Sequence, residues 1–416
     1  MTQQKLKPAE KKFSEPSSKM KKTEIGLIPE DWDVAKVGDN IEVQGGYAFK
    51  SLDYKDSGIK LIRITNVTHG KIDLKELVYL PLHYQNQYSD FDLKENDILI
   101  VLTRPIIGGG LKAGTIKGNH LPALLNQRVG RLIIKNAKVH SSFLAHFIHS
   151  NYFVNEINKR LTTMNQPNIS TSDIDSILIP LPQLNEQKKI SEVLSTIDKR
   201  LDILERESQR VERLKVGLMK ELFEKKRWPA VTLGDEKFFE MIMGQSPPSE
   251  LYNRDGVGLP FLQGNAEFGD LHPSPTIYCS KPLKMAKKGD ILISVRAPVG
   301  EVNMADTDCC IGRGVGAIRA KEGVDSQFLF FYLKSVNSKL DSISGGSTFK
   351  AITKNQLEKL EVFLPPLNEQ RKISLILSTI DKKLSIQKSK KSKLESIKKS
   401  LMNDLLTGKK RVKVTQ

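Results

Sequence analysis

Short runs of apolar and β-branched residues, bounded by Gly, Asn, Asp or Pro, recur along this chain at Ile59–Val67, Asp97–Leu102, Val129–Ile134, Asp290–Val295 and Val315–Arg319. Their length and boundaries predict strands. Ser142–Leu161 and Ser326–Leu340 instead place apolar residues at helical spacing and predict helices. Two longer patterns dominate. In the first, Ile190, Leu194, Ile197, Leu201, Leu204, Val211, Leu218 and Leu222 follow steps of three and four with a gap at Ser208. In the second, Ile373, Leu377, Ile380, Leu384, Leu394, Ile397, Leu401 and Leu405 do the same. This is a coiled-coil seam, imperfect in its middle. Asn185 and Asn368 are placed to cap the two helices after Pro182 and Pro365, and Glu186 and Glu369 favour the positive end of each dipole. Gly408 ends the second helix. A helix of about 38 residues is a rod of roughly 55 to 60 Å. Two such rods with bare apolar stripes must pair, and an antiparallel pair within the chain is expected.

The two helices are copies. Leu181–Leu201 reads LPQLNEQKKISEVLSTIDKRL and Leu364–Leu384 reads LPPLNEQRKISLILSTIDKKL, with 16 of 21 positions identical. Periodicity fixes apolar positions and leaves the polar ones free, so identity at the polar positions marks a duplicated unit. Both tryptophans open similar phrases, WDVAKVGD at Trp32–Asp39 and WPAVTLGD at Trp228–Asp235. The repeats therefore run from about 32 to 227 and from 228 to 416. Shorter echoes join Asp97–Val101 to Asp290–Ser294, and Val129–Gly130 to Val315–Gly316. The globular parts have diverged while the helices stayed alike.

A length of 416 residues with 39% apolar composition accommodates two to four globular domains. No apolar run reaches membrane-spanning length, and the first 22 residues lack a signal-peptide core, so a cytoplasmic protein without a membrane partner is expected. Cys279, Cys309 and Cys310 form neither a C-x-x-C pair nor an even framework. The net charge of +17 is carried at the ends: residues 1–22 hold 7 basic and 2 acidic groups, and residues 371–416 hold 14 and 3. The remainder is close to neutral. A nucleic-acid partner is thus to be gripped by locally placed residues rather than by a uniform field.

Catalytic patterns are missing. Gly109–Thr115 (GGLKAGT) has phosphate-loop spacing without the following Lys and reads as a flexible glycine loop. Residues 165–169 (NQPNI) lack the second Pro and the aromatic residue of an amino-methyltransferase motif and read as a loop. His146 and His149 sit within an apolar helix and read as packing or surface residues. No metal set or nucleophile elbow is found.

The phrase KTEIGLIPEDW at residues 22–32, the two LP-x-LNEQ-x-KIS…LSTID starts and the ending LLTGKKR at Leu405–Arg411 resemble the specificity subunit of type I restriction-modification systems. The resemblance covers nearly the whole chain. It implies an α+β protein in which two mixed α/β target-recognition domains are separated by two long helices forming an antiparallel coiled coil. The implied division is a disordered basic leader at 1–22, recognition domain 1 at 23–183, helix 1 at 184–227, recognition domain 2 at 228–366, and helix 2 with a basic tail at 367–416. The implied partners are double-stranded DNA, two modification (methyltransferase) subunits and restriction (ATP-dependent motor and nuclease) subunits. No catalysis is implied for the chain itself. S-adenosylmethionine, ATP and magnesium are implied only through its partners.

Unlike recognition domains on like helices point to an asymmetric DNA site of two half-sites. Base reading falls to polar and cationic loop residues, for which the candidates are Arg104, Lys112, Gln127 and Arg128 in the first domain and Arg296, Arg313, Thr348 and Lys350 in the second. Partner docking is assigned to the matching polar residues Glu186, Gln187, Glu369 and Gln370. Two other classes compete with this reading: a coiled-coil scaffold without DNA specificity, and the recognition part of a different methyltransferase or nuclease system.

Overall fold

A computed structural model describes residues 13–14, 19–161, 167–224, 228–337 and 351–413. The chain forms two compact units: residues 1–203 together with 391–416, and residues 204–390.

The first unit is built on a four-stranded sheet in the spatial order Ala113–Thr115, Ile98–Val101, Val129–Ile134 and Ile41–Gly45, antiparallel throughout. Its central strand Ile98–Val101 is buried on both faces, which is why it is continuously apolar rather than alternating. Ile98 and Ile100 face a core completed by helices Ser141–Phe147 and Asn151–Leu161 and by Ile190 and Leu194 of the first long helix. Leu99 and Val101 face the opposite way, onto a second sheet of Ala123–Leu125, Ile59–Ile62 and Val78–Leu80. In that sheet Ala123–Leu125 runs parallel to Ile59–Ile62, with Leu125 beside Ile62.

The second unit repeats this plan. Phe239–Met243, Val315–Ala320, Ile291–Ser294 and Val302–Met304 form its four-stranded sheet, again antiparallel. Ile291 and Ile293 face helix Ser326–Ser335 and Ile373 and Leu377 of the second long helix. Leu292 and Ala317 face the sheet in which Leu259–Leu262 runs parallel to Cys309–Ile311. Each unit also has a two-stranded strap just before a long helix: Leu178–Leu181 against Asp33–Lys36, and Glu361–Phe363 against Ala230–Thr232. The duplication seen in the helices extends through the globular parts.

The long helices span Leu184–Glu224 and Leu367–Leu405 and form an antiparallel coiled coil. In the first unit Lys398 pairs with Asp198 at 2.6 Å, and Leu405 and Leu406 share the core of Ile190 and Leu194. In the second, Lys215 pairs with Asp381 at 2.5 Å, while Ser208 Oγ donates to Gln387 Oε1 at 3.3 Å. As numbers rise on one helix they fall on the other. The gap at Ser208 is therefore a polar layer, half-buried at Ser208 and buried at Gln387, of the kind that fixes register in coiled coils.

Several expectations are revised. The helices begin at Leu184 and Leu367, so Asn185 and Asn368 lie inside the first turn rather than at the cap. The segment 142–161 is two helices, broken at 148–150, where Ser150 Oγ accepts the Phe153 N–H at 3.2 Å and starts a new turn. The strand at 59 stops at Ile62, because the Asn66 side chain accepts the Arg63 N–H at 3.0 Å and folds a turn. Part of the expected disordered leader is ordered: Phe13–Ser14 pairs with Arg411–Val412, and Met20–Thr23 forms a hairpin with Gly26–Pro29. The glycine loop is a tight hairpin between Ile106–Ile107 and Gly110–Leu111, with Gly108 and Gly109 at φ 54° and 77°. The compact units do not coincide with the sequence repeats, because antiparallel pairing folds the end of the second helix onto the beginning of the first.

Candidate nucleic-acid interface

In the first unit the strands Ile41–Gly45, Ile59–Ile62, Ile98–Val101 and Ala123–Leu125 all end at one edge, and the register places Gly45 beside Gly130, Val101 beside Val129, and Leu125 beside Ile62. The loops that leave this edge hold Tyr47, Arg104, Gln127 and Arg128, all exposed. Two of them lock together. The Gly46 N–H donates to Val129 O at 3.1 Å, Tyr47 N–H to Leu125 O at 3.0 Å, and Gln127 N–H to Tyr47 O at 2.9 Å. A Cβ at Gly46 would overlap Asn126 O, so only glycine permits this crossing. The turn at 126–129 is thus held through its backbone and presents two exposed polar side chains, Gln127 and Arg128. Neither side chain has a hydrogen bond or ion pair among the described residues.

Arg104 is held differently. Its N–H donates to Pro167 O at 2.7 Å, and its backbone sits at φ 51°, an uncommon conformation for a residue other than Gly, Asn or Asp. Such strain is tolerated when the surroundings enforce it and the side chain is of use. Lys112 lies at the same edge but is committed: its Nζ donates to Ile64 O at 2.7 Å, and burial lowers its pKa. Lys112 is a tie between loops, which removes it from the free cations.

The second unit builds the same edge from other residues. Gly244 N–H donates to Val315 O at 3.0 Å and Gln245 N–H to Ile311 O at 3.0 Å, and a Cβ at Gly244 would overlap Gly312 O. The turn at 312–315 presents Arg313, whose N–H donates to Ser246 Oγ at 3.1 Å. Arg296 is exposed on the neighbouring loop, bridged to Ala351, as Thr103 is bridged to Asn168 in the first unit. Thr348 and Lys350 lie outside the described residues.

The repeated helix starts are built inward. Gln187 is fully buried: its oxygen accepts the His140 N–H at 2.8 Å, and its amide donates to Lys138 O and Pro182 O, each at 2.8 Å. Gln370 repeats the arrangement, accepting from Asp325 N–H at 2.8 Å and donating to Gly323 O and Pro365 O at 3.0 and 2.8 Å. Each amide latches a long helix to the loop before the domain's own helix. Glu186 is buried as well. It accepts the Trp32 indole N–H at 3.0 Å and two Arg411 N–H groups at 2.6 and 2.7 Å. Arg411 also clamps Asp31 through two 2.9 Å bonds, which hold the Asp31 carboxyl below its ordinary pKa. The docking role expected of Glu186, Gln187 and Gln370 is therefore corrected, since fully engaged interior groups present nothing to a partner. Glu369 is half-buried, its N–H bonded to Asn368 Oδ1 at 2.8 Å.

Two stretches, residues 29–213 and 225–396, match the family model of the type I restriction modification DNA specificity domain. The chain belongs to the type I specificity-subunit family. This specificity subunit is 40% identical to the MjaX type I specificity subunit of Methanocaldococcus jannaschii over 94% of its own length and 97% of that protein. It is 35% identical to the EcoAI specificity subunit of Escherichia coli over 41% of its length and 30% of that chain. Among solved structures it resembles a chain from a type I R-M system described for complex assembly and conformational transition (28% identity, TM-score 0.58, covering 92% of this chain and 99% of that one). A specificity subunit from M. genitalium shares the fold at 18% identity and TM-score 0.59, over 90% and 96% of the two chains.

The candidate edge of the specificity subunit is only partly visible in its sequence. Gln127, Arg128 and Arg313 stand out as polar turn residues between apolar strands. Tyr47 and Gln245 do not, because their position depends on a backbone crossing between distant segments. His146 and His149 prove to be interior groups of the first unit. His146 bonds Ser195 Oγ at 3.1 Å and lies 3.8 Å from Asp198. Burial pushes His146 down to about 4, against the pull of Asp198, and burial pushes His149 down to about 3. Among the described residues no group of His, Cys, Asp or Glu is arranged to hold a metal, and no helix is long and apolar enough to cross a membrane.

Proposed function

We propose that this specificity subunit directs a type I modification complex in the cytoplasm to an asymmetric, two-part sequence in double-stranded DNA, each unit reading one half. The observation that carries the reading is the doubled edge: the same backbone crossing is built twice, and the turn it supports offers Gln127 and Arg128 in one unit and Arg313 in the other. A common frame with different donors is what two unlike half-sites require. The near-neutral middle of the chain supports a division of labour in which partners supply much of the phosphate contact.

The subunit has no catalytic role in this reading. Two modification subunits bring S-adenosylmethionine chemistry, and restriction subunits bring ATP- and magnesium-dependent cleavage. Docking is assigned to apolar side chains that the long helices turn outward. In the first unit these are Ile203 and Ile397, 55% and 51% exposed, and in the second Ile386 and Leu214, 47% and 56% exposed. The 183-residue repeat relates Ile203 to Ile386 and Leu214 to Ile397, so two identical partners would meet like surfaces. The test is exchange of residues 23–183 for another recognition domain, followed by long-read mapping of methylated DNA. One half of the methylated motif should change and the other remain. An unchanged motif would favour a scaffold without DNA specificity.

A further inference from the structure

Each reading turn is crossed by a loop that brings one more exposed side chain to the edge, Tyr47 in the first unit and Gln245 in the second. We propose that these two positions read bases alongside the turns, and that Gln245 recognises an adenine next to the base contacted by Arg313. The inference rests on the function proposed above and adds the residues that make the two half-sites differ.

Equivalence of the two positions follows from the backbone. Tyr47 donates to Leu125 O and Gln245 to Ile311 O, the last residues of the corresponding parallel strands, both at 3.0 Å. Tyr47 O in turn accepts the Gln127 N–H at 2.9 Å, and Ser246 Oγ accepts the Arg313 N–H at 3.1 Å. The backbone of each residue is thus fixed beside its turn.

The chemistry at the two positions differs. Gln245 is exposed, and its amide has no hydrogen-bond partner among the described residues, so donor and acceptor are both available. A primary amide offers the donor and acceptor pair that adenine N7 and N6 require, while a neighbouring guanidinium suits guanine O6 and N7. Tyr47 cannot form such a pair. Its ring is held by Tyr88, Phe49 and Phe91 with centroids 4.6, 5.0 and 5.5 Å away, yet it remains 38% exposed. A fixed, half-open aromatic surface suits apolar contact with a thymine methyl group. A merely structural role does not fit Gln245, because the crossing is secured by backbone bonds and by Gly244 rather than by its side chain.

The experiment co-expresses the full chain with its modification subunits in a host free of other methylation and maps the motif by long-read sequencing. Omitting the chain should abolish the motif, a control that tests the proposed function by itself. Gln245→Ala should make one A·T position of a single half-site degenerate, with preference there falling about 10- to 100-fold. Gln245→Glu should move the preference at that position toward cytosine, whose amino group donates to a carboxylate. Tyr47→Ala should alter only the other half-site. Unchanged letters in the Gln245 variants would overturn the inference, as would altered letters in both half-sites. Loss of all methylation with both Gln245 variants would also overturn it, since Gln245 would then be structural.

Discussion

Arg104 joins two opposing demands in one residue. Its backbone occupies a left-handed conformation that glycine adopts freely, yet its side chain is an exposed cation at the candidate edge. Arg104→Gly separates the two. It should leave stability unchanged or raise it slightly, by up to about 1 kcal/mol, because the strain is relieved while glycine's greater unfolded freedom offsets part of the gain. Methylation of one half-site should weaken nonetheless, as read by the fraction of its sites modified. Lys112, Gln187 and Gln370 show why other candidates misled. Each is a polar residue beside a loop, as a DNA or partner contact would be, but its burial depends on carbonyls far away in sequence: Ile64 for Lys112, Lys138 for Gln187 and Gly323 for Gln370. Local pattern carries no record of such partners.

Among the elements, the central strands Ile98–Val101, Val129–Ile134, Ile291–Ser294 and Val315–Ala320 were legible, because short apolar runs bounded by turn residues have few other ways to bury themselves, whereas their neighbours Ile41–Gly45, Phe239–Met243 and Val302–Met304 were not. The break at 148–150 was hidden within apolar sequence, where period alone cannot distinguish one helix from two. The long helices were legible in extent and pairing, and their polar layer appeared as the gap at Ser208. Replacing Ser208 and Gln387 together with Leu should raise the stability of the second unit by about 1 to 2 kcal/mol, measured by chemical denaturation. The same change should weaken the preference for a single register, visible as broadened helix signals in NMR spectra. The helix Ser141–Phe147 carries a pH dependence as well. His146 and the nearby His149 have folded pKa values of about 4 and 3, below the ordinary value of 6.5. The unfolded chain therefore binds more protons between those limits, so stability is fully present above about pH 6.5 and declines as pH falls toward 4. Thermal melts across that range should show the decline, and His149→Asn should flatten it.

At the scale of the whole molecule, duplication was readable from the repeated LNEQ starts, but the division into units was not, since it depends on which helix halves meet. The first unit closes only when residues 391–413 return to it. Leu405 and Leu406 enter its core, Gly408 lies against Trp32, and Arg411 neutralises the buried Glu186. Arg411→Ala leaves that carboxylate without its cation and should cost about 3 kcal/mol or more, seen as a lowered unfolding midpoint of the first unit. Methylation should fall with it.

The return of the chain's last segment to its first unit also sets an order of events during synthesis. A ribosome that has produced residues 1–203 has not yet supplied the hydrophobic and charged groups that complete the unit those residues belong to. A chain that stops before residue 405 leaves Glu186 without its cation and the core of Ile190 and Leu194 without Leu405 and Leu406, and it should be cut faster by added protease than the full chain. The first unit thus draws its stability from two segments separated by the whole of the second, so a change in residues 391–413 reaches the strands that carry Gln127 and Arg128.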